Sequence, residues 1–249
     1  MKKKLVRIAA LAMVAGTCVM AQKIKNQEEA KGISEIQKAK SPDEIIAAVD
    51  KFVVAHPESE FKSQALSAAG EAAEAKGDWV KAVSYGRLGI EADAKNFDAL
   101  LLVAAELAQH TPENALTKEQ DLGEAQKDAE QAITVIPDVT KPVDSKMPDK
   151  AFEDFKKDGI ARGHAALGMI AAKRKKWDIA SQEFQTAVDS ETRPDSVVMV
   201  RLGNALNESN KPADALVVLN KVLAMENLNP AVKNFAASEK NRAESKLKK

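Results

Sequence analysis

By type, the residues of this 249-residue chain best suited to chemistry are three histidines, two tryptophans and one cysteine, and their spacing disperses them. His56, His110 and His164 fall in three separate stretches, with no metal-spaced pair among them. The sequence has no glycine-rich phosphate loop and no nucleophile elbow, and Cys18 sits in an apolar leader. His56 and His110 read as residues of helix ends and His164 as one within a helix, in solvated or locally capping roles. Trp79 and Trp177 could stack on a sugar or a peptide, but each opens a helix at the same point of a recurring pattern, which favours packing between helices. Lys173-Arg174-Lys175-Lys176 could dock an anion, yet it lies in a turn between two helices and reads as a solvated turn. The expectation is a non-enzyme with no catalytic residue, metal or cofactor.

The ends and the composition bound what remains. Lys2, Lys3, Lys4 and Arg7 precede an apolar stretch over 8–21, too short to cross a bilayer as a helix. Val19-Met20-Ala21 then offers small residues for cleavage before Gln22, the layout of a secretory signal peptide. The alternative is a lipoprotein anchored at Cys18, since Ala15-Gly16-Thr17-Cys18 resembles a lipobox, although Thr17 departs from it. An exported protein, periplasmic or secreted, follows from the first reading. Cleavage leaves 33 basic residues against 37 acidic ones and no cysteine, so packing alone must hold the chain and a nucleic-acid partner is not expected. Aromatic residues make up 4% of the chain, sparse for one large globular core, and abundant alanine points to closely packed helices.

The elements that position these residues emerge from a repeat. A small residue in one helix is followed twelve positions later by a small residue in the next, then by positions four and seven further on. The copies are Ala69-Gly70, Ala82, Gly86, Gly89; Val103-Ala104, Ala125, Ala129, Ala132, with an insertion in the turn; Leu167-Gly168, Ala180, Phe184, Ala187; and Leu202-Gly203, Ala215, Leu219, Val222. Spacings of four and seven keep each set on one helical face, and small residues let two helices approach closely. The period is 34 from Gly70 to Ala104 and 35 from Gly168 to Gly203. On these residues the chain resembles tetratricopeptide-repeat proteins over roughly 63–229, best at Leu167, Gly168, Ala180 and Phe184. The fold class expected is all-α, a solenoid of antiparallel helix pairs with about four repeats.

Boundary signals agree with that register. Ser41-Pro42-Asp43-Glu44 reads as a capping box with a first-turn proline, and Thr117 with Gln120 as a second box that starts a helix near Lys118. Asn229-Pro230 opens a last, solvating helix. Pro137, Pro142 and Pro148 interrupt the array and are expected to divide it into two blocks, after which residues 149–157 add extra helix, carrying Phe152 and Phe155, that is expected to pack against the neighbouring block. The organisation expected is a leader over 1–21, an N-terminal helical segment with a partial repeat over 22–62, repeats one and two over 63–136, a linker over 137–148, repeats three and four over 149–229, and a cap over 230–249. Residues 23–40 read equally as a helix or a tether.

The resemblance implies a concave groove lined by first helices, at repeat positions two, five, nine and twelve. Carried onto this sequence, these are Gln64, Ser67, Glu71 and Glu74; Asp98, Leu101, Ala105 and Ala108; Arg162, Ala165, Met169 and Ala172; and Val197, Val200, Asn204 and Asn207. The lining is acidic at one end and apolar with amides at the other, which suits a partner peptide or helix with basic and apolar anchors. Arg162 and Asn204 are only fragments of the family's carboxylate clamp. The expected function is a protein-interaction scaffold; the alternative is a self-associating component of an envelope assembly.

Overall fold

The computed structural model describes residues 24–142, 145–193 and 195–248; the leader and Cys18 lie outside them. Eleven α-helices and no strand occur among the described residues. The N-terminal region is helical: α1 (Gln27–Lys38) pairs with α2 (Pro42–Ala55). The repeats follow as α3 (Lys62–Ala75) with α4 (Trp79–Ala92), α5 (Phe97–His110) with α6 (Lys118–Val135), α7 (Asp149–Lys173) with α8 (Trp177–Ser190), and α9 (Ser196–Glu208) with α10 (Pro212–Leu223). Helix α11 (Pro230–Leu247) closes the end against α9 and α10.

Local chemistry explains most helix starts. Ser41 Oγ accepts from the Glu44 amide at 3.3 Å, while the Glu44 carboxylate reaches past the cap to the Lys40 amide at 2.7 Å. Asn96 Oδ1 accepts from the Ala99 amide at 3.1 Å and Asn229 Oδ1 from the Ala231 amide at 2.9 Å. The second capping box expected from Thr117 and Gln120 does not form. Thr117 makes no side-chain cap, and its hydroxyl donates to Asp121 at 2.8 Å, although α6 still begins at Lys118.

Three turns between first and second helices close in the same way. Gly77, Lys175 and Asn210 each take positive φ (78°, 58° and 60°) directly after the helix C-cap. The next amide returns to the carbonyl five residues back, Asp78 to Ala73, Lys176 to Ala171 and Lys211 to Leu206, at 2.8–3.0 Å. Lys175 stands where a left-handed backbone favours glycine by about 1 kcal/mol. Lys175→Gly is therefore expected to raise stability by about that amount, read as a shift in denaturation midpoint with unchanged slope.

Packing follows the sequence repeat. Ala82, Ala125, Ala180 and Ala215 are fully buried, as are Ala187, Leu219 and Val222. A Cβ on Gly168 would lie 2.6 Å from the Phe184 ring, and one on Gly203 2.6 Å from Leu219, so bare backbone seats those side chains. Trp79 and Trp177 pack against the core clusters as expected, and Trp79 also stacks on His110 with centroids 5.5 Å apart.

The proline-containing segment interrupts the helices between α6 and α7, and the extension that follows it packs against the preceding pair, as expected. Ile136–Asp138 forms one 3-10 turn, and α5 and α7 then pack directly against each other. The extra turns of α7 supply the reason: Phe152 and Phe155 join Phe97, Ile136 and Val139 in one apolar cluster, with Phe155 edge-on to Phe97 at 5.6 Å.

A ladder of ion pairs ties successive pairs along the turn edge. The second residue of a second helix is acidic in α2, α6 and α8, and each pairs with a cation of the next first-to-second turn. Asp43 meets Lys76, Glu119 meets Arg174 at 2.9 Å and Asp178 meets Lys211 at 2.9 Å. Acids there also suit the helix N-terminus, and exposed pairs of this kind contribute about 0–1 kcal/mol each. Lys173 extends the tie by donating to the carbonyls of Gln109 and Thr111 at the end of α5. Much of the basic run thus serves the stack.

Candidate functional site

The candidate site is the open face of the first helices, and burial fixes its register. Position two is accessible in three repeats (Asp98, Arg162, Val197) and partly so at Gln64, whose amide nitrogen and oxygen are buried without a partner, and position nine is accessible in all four (Glu71, Ala105, Met169, Asn204). Position five is buried throughout: Ser67, Leu101, Ala165 and Val200 are at most 8% exposed. At position twelve Glu74 and Ala172 are accessible, whereas Ala108 and Asn207 are fully buried. The expected lining is corrected accordingly. A strip at positions two, nine and thirteen, spaced seven and four, stays on one face, while position five turns towards the neighbouring helices.

The buried members have identifiable partners. Ser67 accepts from the Asn96 amide at 2.9 Å, and Leu101 belongs to the Phe97 and Phe152 cluster. Asn207 donates to the carboxylate and carbonyl of Glu239 in α11 at 2.8 and 2.9 Å. Asn207 is a fastening for the cap. Two residues of the face were not anticipated, nor was one behind it, at a position buried in all four repeats (Ala72, Glu106, Ile170, Ala205). Glu106 stands at position ten, Gln109 at thirteen and Arg201 at six, and an Arg201 Nη2 donates to the Gln109 side-chain oxygen at 3.2 Å, linking α5 to α9. That link joins repeats two and four, which only a tight curl allows, and a single-repeat pattern carries no signal for it.

The electrostatics of the face are uneven. Glu71 is pushed up to about 7, first by burial, then by Asp98, with Arg162 opposing and Glu74 adding. Asp98 rises to about 6 through burial, opposed by Arg162; water reaches part of it, but protein encloses its other sides, as on the floor of a concavity. Glu106, 5% exposed, rises to about 7 through burial and then Glu74. Glu71, Glu74 and Asp98 make no side-chain hydrogen bond or ion pair within 4 Å among the described residues. Glu106 has only His110, at 3.6 Å. At the other end burial lowers Arg201, opposed by Asp195.

The other histidines take structural places. His164 pairs with Glu183 at 2.8 Å across α7 and α8, and His56 tilts against Phe52 at 5.2 Å. Among the described residues no three His, Cys, Asp or Glu side chains are placed to hold a metal ion, and no helix is long and apolar enough to cross a membrane.

No family model matches the sequence, and no curated protein matches it. Solved structures do resemble the fold. A thermophilic TPR protein of Thermus thermophilus aligns with a TM-score of 0.55 at 13% identity, covering 86% of this chain and 95% of its own. MamA from Desulfovibrio magneticus RS-1, residues 41 to the end, aligns with a TM-score of 0.58 at 16% identity, covering 82% and 97%. Identities this low speak for architecture, and the architecture they share with this chain is the all-α solenoid of tetratricopeptide-type helix pairs.

Proposed function

We propose that this protein is an interaction scaffold that holds a segment of a partner protein against the open face of α3, α5, α7 and α9. The observation that carries the reading is the pair of partly exposed carboxylates on that face, Glu71 and Asp98, which the fold leaves without a hydrogen bond or an ion pair. Charged groups in such surroundings destabilise a free protein and gain from a partner of opposite charge. The fold shared with solved TPR proteins supports the reading at the level of architecture.

The test is to fill the strip at its accessible points. Ala105→Trp and Asn204→Arg alter side chains that are not buried, so the helices should form as before. A partner captured by the wild-type protein should be lost by the double variant, with circular dichroism unchanged. Equal capture by both would remove the groove from consideration. We further propose export, supported by the basic run and apolar stretch of the first 21 residues; N-terminal sequencing that begins near Gln22 would be the supporting result. Self-association at an end of the stack is the weaker reading. Helix α11 presents Asn234, Ser238, Asn241 and Ser245 to solvent, with Phe235 and Leu247 its exposed large apolar residues, three turns apart.

A further inference from the structure

The open face leaves two features without a role, the insertion in the turn of repeat two and the last two lysines of the basic run. Turns between first and second helices take three residues in repeats one, three and four but seven, 111–117, in repeat two. The longer loop and the turn after α7 wall a hollow of about 430 Å³ on the turn edge of the stack, lined by five cations against two acids. Both acids are already engaged, Glu113 with Lys118 at 3.0 Å and Glu119 with Arg174 at 2.9 Å. Lys118 also donates to the Lys173 carbonyl, and Lys173 to the Gln109 carbonyl, each at 3.1 Å. Burial lowers Lys173, Glu113 opposes the fall and Lys118 adds to it, so an anion in the hollow would favour its charged form.

Lys175 and Lys176 have no side-chain hydrogen bond or ion pair among the described residues. Each also stands where another residue would suit the backbone better. Lys175 takes the left-handed conformation that Gly77 and Asn210 take in repeats one and four. Lys176 is the N-cap of α8 and makes no cap bond, whereas Asp78 caps α4 directly before the equivalent tryptophan. A cation there opposes the helix dipole. Lys211 precedes α10 in the same way, but Asp178 neutralises it at 2.9 Å. Strained and disfavoured placements cluster at ligand sites, and here two adjoin one hollow whose positive charge is unspent.

We propose that the hollow between the α5–α6 loop and the α7–α8 turn binds a phosphate-bearing group through Lys173, Lys175 and Lys176. A dianionic phosphate monoester matches the excess of cations better than a single carboxylate does, and its oxygens accept charged hydrogen bonds from several sides. A soluble ester and a lipid headgroup carry the same chemistry.

The first probe is inorganic phosphate, titrated into the 15N-labelled full chain at pH 7.5 with chloride holding ionic strength constant. The amides of residues 173–177 should shift saturably, half-maximally at about 10 mM or below. Lys175→Asn with Lys176→Gln should weaken this at least tenfold without lowering Tm, since asparagine holds the same left-handed turn at Asn210. Lys127→Gln with Lys221→Gln, the same charge change on exposed residues of α6 and α10, should leave it unaltered. The second probe is a phosphatidylcholine vesicle containing phosphatidate, sedimented with the chain. Retention that the Lys175→Asn, Lys176→Gln pair abolishes assigns the group to a lipid; phosphate binding without retention assigns it to a soluble ester. Equal weakening by both lysine pairs, retention that survives loss of Lys175 and Lys176, or no response to either probe would overturn the site.

Discussion

Gly168→Val should destabilise the protein by about 3 kcal/mol, a loss of roughly 6–12 °C in Tm for a chain of this size. The reason is geometric. A Cβ at Gly168 meets three atoms of the Phe184 ring at 2.6, 2.7 and 2.9 Å, and that ring is 1% exposed between α7, α8 and α9. A rigid buried ring cannot swing aside as a flexible side-chain end could, so helix separation must increase. Valine adds a β-branch and a small helix-propensity penalty. Gly123 supplies the contrast: it lies within α6 with nothing inside 4 Å of a built Cβ, so Gly123→Ala should stabilise by about 0.5–1 kcal/mol. Thermal denaturation of the two variants distinguishes close packing from a general intolerance of glycine replacement. Shrinking the ring, with Phe184→Leu added to Gly168→Val, should recover part of the loss; a strictly additive double variant would show that the contact is not the cause.

The second large effect is on the dependence of stability on pH. Glu71 and Glu106 titrate near 7 and Asp98 near 6 in the folded chain, against about 4 for carboxylates in an unfolded one. Asp128, buried in α6 beside Glu124, is likewise raised to about 6. Between about pH 4.5 and 7 the folded state therefore holds protons that the unfolded state has released, so stability falls as pH rises through that window and is greater at its acid end. At about 1.4 kcal/mol per pKa unit, reduced because water reaches part of the face, each group contributes on the order of 1–2 kcal/mol. Carboxylates held down by lysine or arginine, such as Glu35, Glu113 and Glu208, act with the opposite sign and lose their contribution as pH falls below about 4.5. The optimum should lie near pH 5. Glu71→Gln with Asp98→Asn should raise Tm by several degrees at pH 8, add little at pH 4.5 and flatten the slope between. A variant that melts lower at pH 8 would show these carboxylates to be stabilising and would remove the argument built on them.

Much of the architecture was written in spacing. The sets Leu167, Gly168, Ala180, Phe184 and Leu202, Gly203, Ala215, Leu219 name helix-pair contacts directly, because a small residue facing a large one is a constraint local to a single repeat. Ser41 and Asn229 marked helix starts for the same local reason. Less was legible where an outcome depended on distant residues. Thr117 lost its cap to a competing partner one turn further on, Asp121. The three prolines marked a break and the extension after it was expected to pack across it, but nothing in the spacing singled out Phe97 as the residue that Phe155 meets there. Burial departs from the expected lining at Ser67, Leu101, Ala108, Ala165, Val200 and Asn207, since a helical position is exposed or covered according to how far the next pair rotates. Arg201 and Gln109, 92 residues apart, meet only because of the curl.

The ladder of ion pairs bears on how such a chain acquires its length. Asp43 to Lys76 and Asp178 to Lys211 are each separated by 33 residues, and Glu119 to Arg174 by 55, yet the same pairing is made. Each clip needs only the copy that follows it, so duplication of a helix pair brings its own fastening, and an insertion of roughly twenty residues between copies is absorbed without loss of it. Helices α1 and α2, which lie outside the four copies of the shared pattern, are joined to the next pair by the same device.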